Sequence, residues 1–377
     1  MGRPTVAEID LSALRYNLTQ IRDLLRGEAE ILAMVKADAY GHGAGPIARE
    51  LESAGVSLLG VATAEEGIEL RQTKVALPIL ILGGIYPGEF QKYIESHLTP
   101  VIFDLDAARE IEEQARKTGN PFAAHLKIDT GMSRLGFPWE QWDKALNFFR
   151  EVKFIQVEGL MTHFAVAESE RPDDKVFTEE QIRRFQTCVA QTFRAGISPR
   201  FIHMANSSAI TVWERARFNL VRPGLILYGV PPTPALGARI SLKPVLSWKT
   251  KILSLRKLRG GDSVSYGRTF TCPKDSLIGT LPIGYGDGYS RRFSNRAEVL
   301  VRGKRARVVG IVCMDLTMID VSEISGVRVG DEAVLLGRQG CDEIHAFDLA
   351  RWAETIPYEI FCGIGKRVPR LFGHRSS

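Results

Sequence analysis

Between residues 30 and 230 the chain alternates between two textures. Short apolar runs occur at ILAMVK (31–36), SLLGVA (57–62), PILILGG (78–84), TPVIFD (99–104), AAHLKID (123–129), QVEGLMTHF (156–164), RFIHMA (200–205) and LVRPGLILYG (220–229). Stretches with helical spacing lie between them, such as AAREIEEQARKTG and TEEQIRRFQTCVAQTFRAG. Runs that are apolar almost throughout mark strands covered on both faces. The second helical stretch starts at Thr178 with Glu and Gln in its first turn, the pattern of a capped N-terminus. Eight strand-then-helix units over some 200 residues predict an α/β chain built on a (β/α)8 TIM-like barrel rather than an open sheet.

After about residue 240 the pattern changes. VLSWKTKILSLRKL, SLIGTLPIGYG, AEVLVRGKRARVVGIVCMDLTMIDV and DEAVLLG alternate in the manner of strands, broken by turns such as RGGD and VRGK, and helical spacing returns only at DLARWAETI. The expected domains are therefore a barrel over 1–239 and a mainly β C-terminal domain over 240–377, with residues 1–15 a candidate further strand of the latter.

Composition narrows the class. With 45% hydrophobic and 25% charged residues, this is the make-up of an ordinary globular protein. The net charge of +5 is spread without a Lys/Arg block, which suits anionic small molecules and gives no argument for nucleic acid. Five cysteines, an odd number without a CxxC pair, argue against a disulfide framework and a zinc site and fit a reducing cytoplasm. The opening residues lack the apolar stretch of a signal peptide, and no segment reaches membrane-spanning length. The expectation is a cytoplasmic protein without a metal or a membrane partner.

Chemistry in such a barrel collects at the C-terminal ends of its strands. There the sequence places Lys36 and Tyr40, then Lys127, Asp129 and Arg134, then His163, Asn206, Ser207 and Arg222. A lysine at a strand end is ordinarily a surface residue with its stem laid on apolar neighbours. Convergence of several such groups on one mouth changes that balance. Desolvation there would free the Lys36 amine to attack an aldehyde. The turn ANSSA offers Ser207, Ser208 and backbone amides to a phosphate, and Gly224 lets the backbone approach an anion closely. Aldehyde chemistry beside a phosphate site suggests pyridoxal 5'-phosphate.

VKADAYGHG, KIDTGMSRLG, EGLMTHFA, HMANSSA, RPGLILYG, SYGRTF, GYGDG, CMD and PYE follow one another over essentially the whole chain. In those motifs and their order the chain resembles the alanine racemases, two-domain enzymes that use pyridoxal phosphate. The resemblance implies that Lys36 binds the cofactor covalently and acts as the base toward D-alanine. It implies that Tyr266 is the base toward L-alanine, supplied by the second subunit of a homodimer. It places Tyr40, Ser207, Gly224, Leu225 and Tyr358 on the phosphate, with Asn206 beside them. Arg222 would face the pyridine nitrogen with His163 near the ring, and Arg134 and the partner-supplied Met314 would meet the substrate carboxylate. Tyr285 and Asp315 fall into a supporting role.

Several of these assignments have a physical reason of their own. Racemisation needs a base on each face of a planar carbon, hence two different residues. A phenol titrates near pH 10, and cationic neighbours bring it toward use. A guanidinium only donates, so it would leave the pyridine nitrogen unprotonated. The plain alternatives stay open: a core phenol for Tyr266, a surface charge for Arg222, and for Lys127 either pairing with Asp129 or the carbamate common in the family. Leu316 after CMD, GYGDG in place of GYADG, and Glu168 in place of an aspartate depart from the family pattern. The leading expectation is an isomerase acting on alanine to supply D-alanine for peptidoglycan. A broader serine racemase is the nearest rival. A non-catalytic pyridoxal-phosphate carrier would end near residue 230, so the second domain argues against it.

Overall fold

The computed structural model describes residues 2–374. The chain divides into two compact units. One holds Arg15–Ala39 and Ala44–Leu242; the other holds the residues up to Leu14, Tyr40–Gly43, and those from Lys243 onward.

The first unit is a ring of eight parallel strands: Glu30–Met34, Leu58–Val61, Ile79–Ile81, Leu98–Ile102, Phe122–Asp129, Ile155–Met161, Phe201–His203 and Leu220–Val221. Each pairs with the next as far as the seventh, and the eighth returns to the first with Leu220 opposite Glu30. Between the seventh and eighth, the Arg222 N–H donates to Ala205 O at 2.9 Å just past the strand ends. Leu32, Leu59, Leu80, Val101, Leu126 and Leu160 are buried, as strands covered on both faces require.

The helices between the strands obey local chemistry. Leu105–Thr118 is capped by Asp104, whose Oδ1 accepts the Ala107 N–H at 2.8 Å, and it stops at Gly119 in the left-handed region. Two expectations need correction. The long helix runs Pro172–Arg194 and does not begin at Thr178, which is buried in its interior with its hydroxyl donating to Asp174 O at 2.8 Å. Pro172 at the first position, with Asp173 and Asp174 behind it, is the real start. The run 220–229 is a strand only over Leu220–Val221; Leu225–Tyr228 forms a 3-10 turn that Gly229 closes at φ 83°.

The second unit is built on a ten-stranded sheet, antiparallel except where Val6–Asp10 runs parallel to Arg370–Gly373. Val6–Asp10 pairs on its other side with Leu246–Lys251. In the VRGK hairpin both central residues, Arg302 and Gly303, have positive φ, the geometry that matches strand twist across a two-residue turn.

Candidate active site

In the barrel unit, Lys36 stands half-buried immediately past the first strand, where the chain makes an unusual turn. Ala37, Asp38, Ala39 and Tyr40 all have φ between 51° and 53°, a left-handed helical turn. For residues with a Cβ this costs about 1–2 kcal/mol each. The turn is held from several sides: the Ala39 N–H donates to Val35 O at 2.9 Å, and Glu66 Oε1 accepts the Ala37 N–H at 2.6 Å. Asp38 Oδ1 accepts the Ala44 N–H at 2.7 Å. Strain retained this firmly beside an amine points to function.

Arg222, following the eighth strand, is 4% exposed, which removes the surface-charge alternative. Its guanidinium donates to His203 Nδ1 and His163 Nδ1, each at 3.0 Å, to Thr162 O at 2.8 Å and to Met204 O at 3.1 Å. Nε has no protein acceptor among the described residues. Burial pushes this arginine down to about 9, so it remains charged at neutral pH. Burial and then the Arg222 charge hold His163 and His203 well below the usual histidine range. Both imidazoles are neutral, and since a guanidinium only donates, each accepts through Nδ1 and carries its proton on Nε2.

Lys127, buried on the fifth strand, is pushed down to about 8. Desolvation is the main cause, followed by Arg134 and Arg222, with Asp129 opposing and Lys36 adding to the depression. Asp129 forms no ion pair with Lys127 among the described residues. Its Oδ1 accepts the N–H groups of Gly131, Met132 and Ser133 at 2.9, 2.9 and 3.1 Å, shaping the loop that carries the exposed Arg134. Lys36, Lys127, Arg134 and Arg222 all act on His163. The barrel therefore gathers a dense set of cations around one imidazole.

Beyond the seventh strand, Asn206 Oδ1 caps Ser207–Val212 by accepting the Ala209 N–H at 3.0 Å. The buried Ser207 Oγ accepts the Gly224 N–H at 2.9 Å, tying the two turns together next to buried Leu225. Exposed Glu168 accepts from the Ser208 hydroxyl at 3.5 Å.

The remaining candidates belong to the second unit. Tyr40 is buried, its ring centroid 5.7 Å from that of Tyr358. Gly41 is required there, since a Cβ would lie 2.1 Å from Phe361 O. Tyr266 is 72% exposed, not a core phenol. It sits on a strained turn with Ser265, Gly267 and Arg268 all at positive φ, anchored by the Ser265 hydroxyl donating to Ile311 O at 2.6 Å. The same loops bring Tyr285 and Met314 together: the Tyr285 N–H donates to Cys313 O at 3.0 Å and the Gly286 N–H to Met314 O at 2.9 Å. Buried Asp287 takes hydrogen bonds from Arg3, and Arg367 bridges Asp287 to Asp315.

Sequence reasoning missed His203 and Thr162 as partners of Arg222. The signal was present, because RFIHMA carries a histidine inside an otherwise apolar strand. Among the described residues no group of three His, Cys, Asp or Glu side chains is placed to hold a metal, and no helix is long and apolar enough to cross a membrane.

A nearly closed parallel barrel with a strand-end lysine, a buried guanidinium and neutral imidazoles has the make-up of an enzyme of the (β/α)8 class with a cationic site at its strand ends. The family profiles "Alanine racemase, N-terminal domain" and "Alanine racemase, C-terminal domain" match residues 9–232 and 245–372. The alanine racemase of Geobacter sulfurreducens is 47% identical over 376 residues, covering 98% of this chain and 97% of its own. A solved alanine racemase of Clostridium difficile 630 superposes with a TM-score of 0.93 at 37% identity, covering 100% of this chain and 97% of that one. One from Bartonella henselae, with covalently bound pyridoxal phosphate, gives a TM-score of 0.87 at 27% identity, covering 99% of this chain and 100% of that one. The chain belongs to the alanine racemase family, a family of isomerases.

Proposed function

We propose that this chain interconverts L- and D-alanine with pyridoxal phosphate attached through Lys36, acting as a cytoplasmic homodimer that supplies D-alanine for peptidoglycan. The observation that carries the reading is the crowding of Lys36, Lys127, Arg134 and Arg222 around the neutral His163. Such a site favours ligands with several negative groups, here a phosphorylated aldehyde and an amino-acid carboxylate. The residues fit the cofactor. Lys36 presents an amine, Arg222 Nε lacks a protein acceptor among the described residues, and the Ser207–Gly224 pair offers a tight polar turn for phosphate beside Asn206 and Leu225; the family resemblance adds Tyr40 and Tyr358 to the phosphate contacts.

When bound, pyridoxal phosphate supplies an aldehyde that captures amines and a ring that withdraws electrons from the substrate Cα–H bond. Lys36 Nζ takes or returns the Cα proton on one face. Tyr266 Oη, from the second subunit, does so on the other. With the cofactor bound, Arg222 would donate to its ring nitrogen and would not surrender a proton, which would leave the ring a weaker electron sink and restrain side reactions. Arg134 and Met314 of the second subunit hold the substrate carboxylate, with Tyr285 and Asp315 in a supporting role. Tyr266, Tyr285, Met314 and Leu316 are all exposed on the second unit, apolar surface that suits contact with a second copy.

Lys127 gains from modification. Holding it as an ammonium at neutral pH costs roughly 3 kcal/mol. Its neutral amine can add to carbon dioxide, forming an N–C bond and releasing a proton, and the carbamate is an anion between Arg134 and Arg222.

The experiment is an absorbance spectrum of the purified protein together with D-alanine formation by wild type and Lys36→Ala. A cofactor band with racemisation abolished in the variant supports the reading. A band without alanine racemisation points to another substrate. No band with added cofactor overturns the role of Lys36.

A further inference from the structure

Behind Arg222 a line of hydrogen bonds continues away from the site. His203 Nε2 lies 2.8 Å from His125 Nδ1, and the two rings meet edge-on with centroids 5.0 Å apart. They sit on the seventh and fifth strands and meet across Gly159 of the sixth, where a Cβ would lie 2.4 Å from His125 Nδ1. His125 is fully buried, and its Nε2 makes no direct hydrogen bond in the structure. That nitrogen faces Glu158 Oε2 at 3.6 Å, a carboxylate with 29% side-chain exposure.

Direction follows from donor chemistry. Arg222 only donates, so His203 accepts at Nδ1 and donates from Nε2. His125 then accepts at Nδ1, and its remaining proton lies on Nε2, toward Glu158. The backbone is shaped for this ending. Ala124 is opposite Val157 but His125 is opposite Gly159, so Glu158 is the extra residue of a bulge. Bulges are rare in parallel pairs and re-aim a side chain next to active sites.

We propose that Glu158 is a positioning residue: through His125 and His203 its carboxylate fixes the ring tautomers that hold Arg222 charged and aimed. A negative group at the end of the line polarises both imidazoles and strengthens His203 Nδ1 as an acceptor for the guanidinium. The inference rests on Arg222 facing the cofactor, as proposed above.

The test combines a tautomer measurement with two variants, using holoenzyme loaded with pyridoxal phosphate. Nitrogen NMR of 15N-histidine-labelled wild type reads the tautomers directly, and His125 and His203 should both be neutral with the proton on Nε2. Glu158→Ala should lower kcat on the order of three- to tenfold with KM within about twofold, and shift the cofactor absorbance. Glu158→Gln keeps an acceptor without the charge and should recover part of kcat. A proton on Nδ1 of either ring overturns the proposal, even if Glu158→Ala fails to fold. So does a folded Glu158→Ala whose kcat and spectrum equal those of wild type. Absence of a cofactor band in wild type would instead defeat the proposed function and leave the tautomer result standing.

Discussion

Arg222 and Tyr266, assigned to the same reaction, live in opposite surroundings. The guanidinium is buried behind the barrel strands with four acceptors fixed around it; the phenol stands on a strained turn, mostly open to solvent, beside other exposed apolar residues. The barrel satisfies its functional charge from within its own strands. The loop cluster of the second unit is tied through Ser265, Asp287 and the Arg367–Asp315 pair, and it leaves Tyr266, Tyr285 and Met314 exposed. A group that tunes a cofactor gains from a fixed, dry environment. A group proposed to act in the site of a second copy has to stay on the surface until that copy arrives.

Substitutions should separate the two kinds of residue. Tyr266→Phe removes one hydroxyl from an exposed turn, so racemisation should fall by about 10²–10⁴-fold while thermal unfolding stays at the wild-type temperature. A variant that unfolded early would show that the turn carries structure, and the contrast would collapse. Arg222→Met should reverse the weighting. His163, His203 and two backbone carbonyls lose their donor inside the barrel, and stability should drop by about 3 kcal/mol in urea denaturation, along with the loss of activity. Unchanged stability would mean that the buried acceptors find other donors.

The same contrast explains what the sequence discloses. Eight apolar runs disclose the barrel because a strand covered on both faces needs continuous hydrophobicity, and Lys36 is legible where ILAMVK breaks into a charge. The eighth run is misleading, since LILY is equally apolar as a strand or as a buried 3-10 turn, and only Gly224 and Gly229 mark the difference. Thr178 resembles a cap because the true start hides in the charged stretch before it. The left-handed turn after Lys36 is invisible to pattern reasoning: three of its residues are Ala, Asp and Ala, and the conformation comes from Glu66, Asp38 and Val35. The histidine line is also non-local, joining strands far apart in the chain.

Acid sharpens the comparison from the barrel side alone. In the unfolded chain the His163 and His203 rings take up protons near pH 6.5. In the fold, burial and Arg222 keep them neutral to well below that value. Each therefore contributes stability that is complete above pH 6.5 and lost as the pH falls beneath it. Over the first unit below 6.5 the two together should cost about 2 kcal/mol, read as a lowered urea midpoint. Arg222→Met removes the second cause and leaves the first, burial, so the dependence should become shallower without vanishing; an equally steep profile in the variant would leave Arg222 no share in it.

The smallest effect probes the cradle. Ser207→Ala deletes the acceptor of the Gly224 N–H but leaves Asn206 in place as the cap of Ser207–Val212, so the turn itself should persist. Leaving one buried N–H without its acceptor costs about 1 kcal/mol of stability. If Ser207 and Gly224 only brace the fold, that is the whole consequence, and the dissociation constant for pyridoxal phosphate stays where it was. If they hold the phosphate, cofactor affinity should fall by on the order of tenfold, because the hydroxyl is lost to the anion and the Gly224 turn it ties in place is loosened. Titrating the variant with pyridoxal phosphate beside a urea curve separates the two. A stability loss without an affinity loss would strip the Ser207–Gly224 turn of its assigned role while leaving Lys36 and Arg222 untouched.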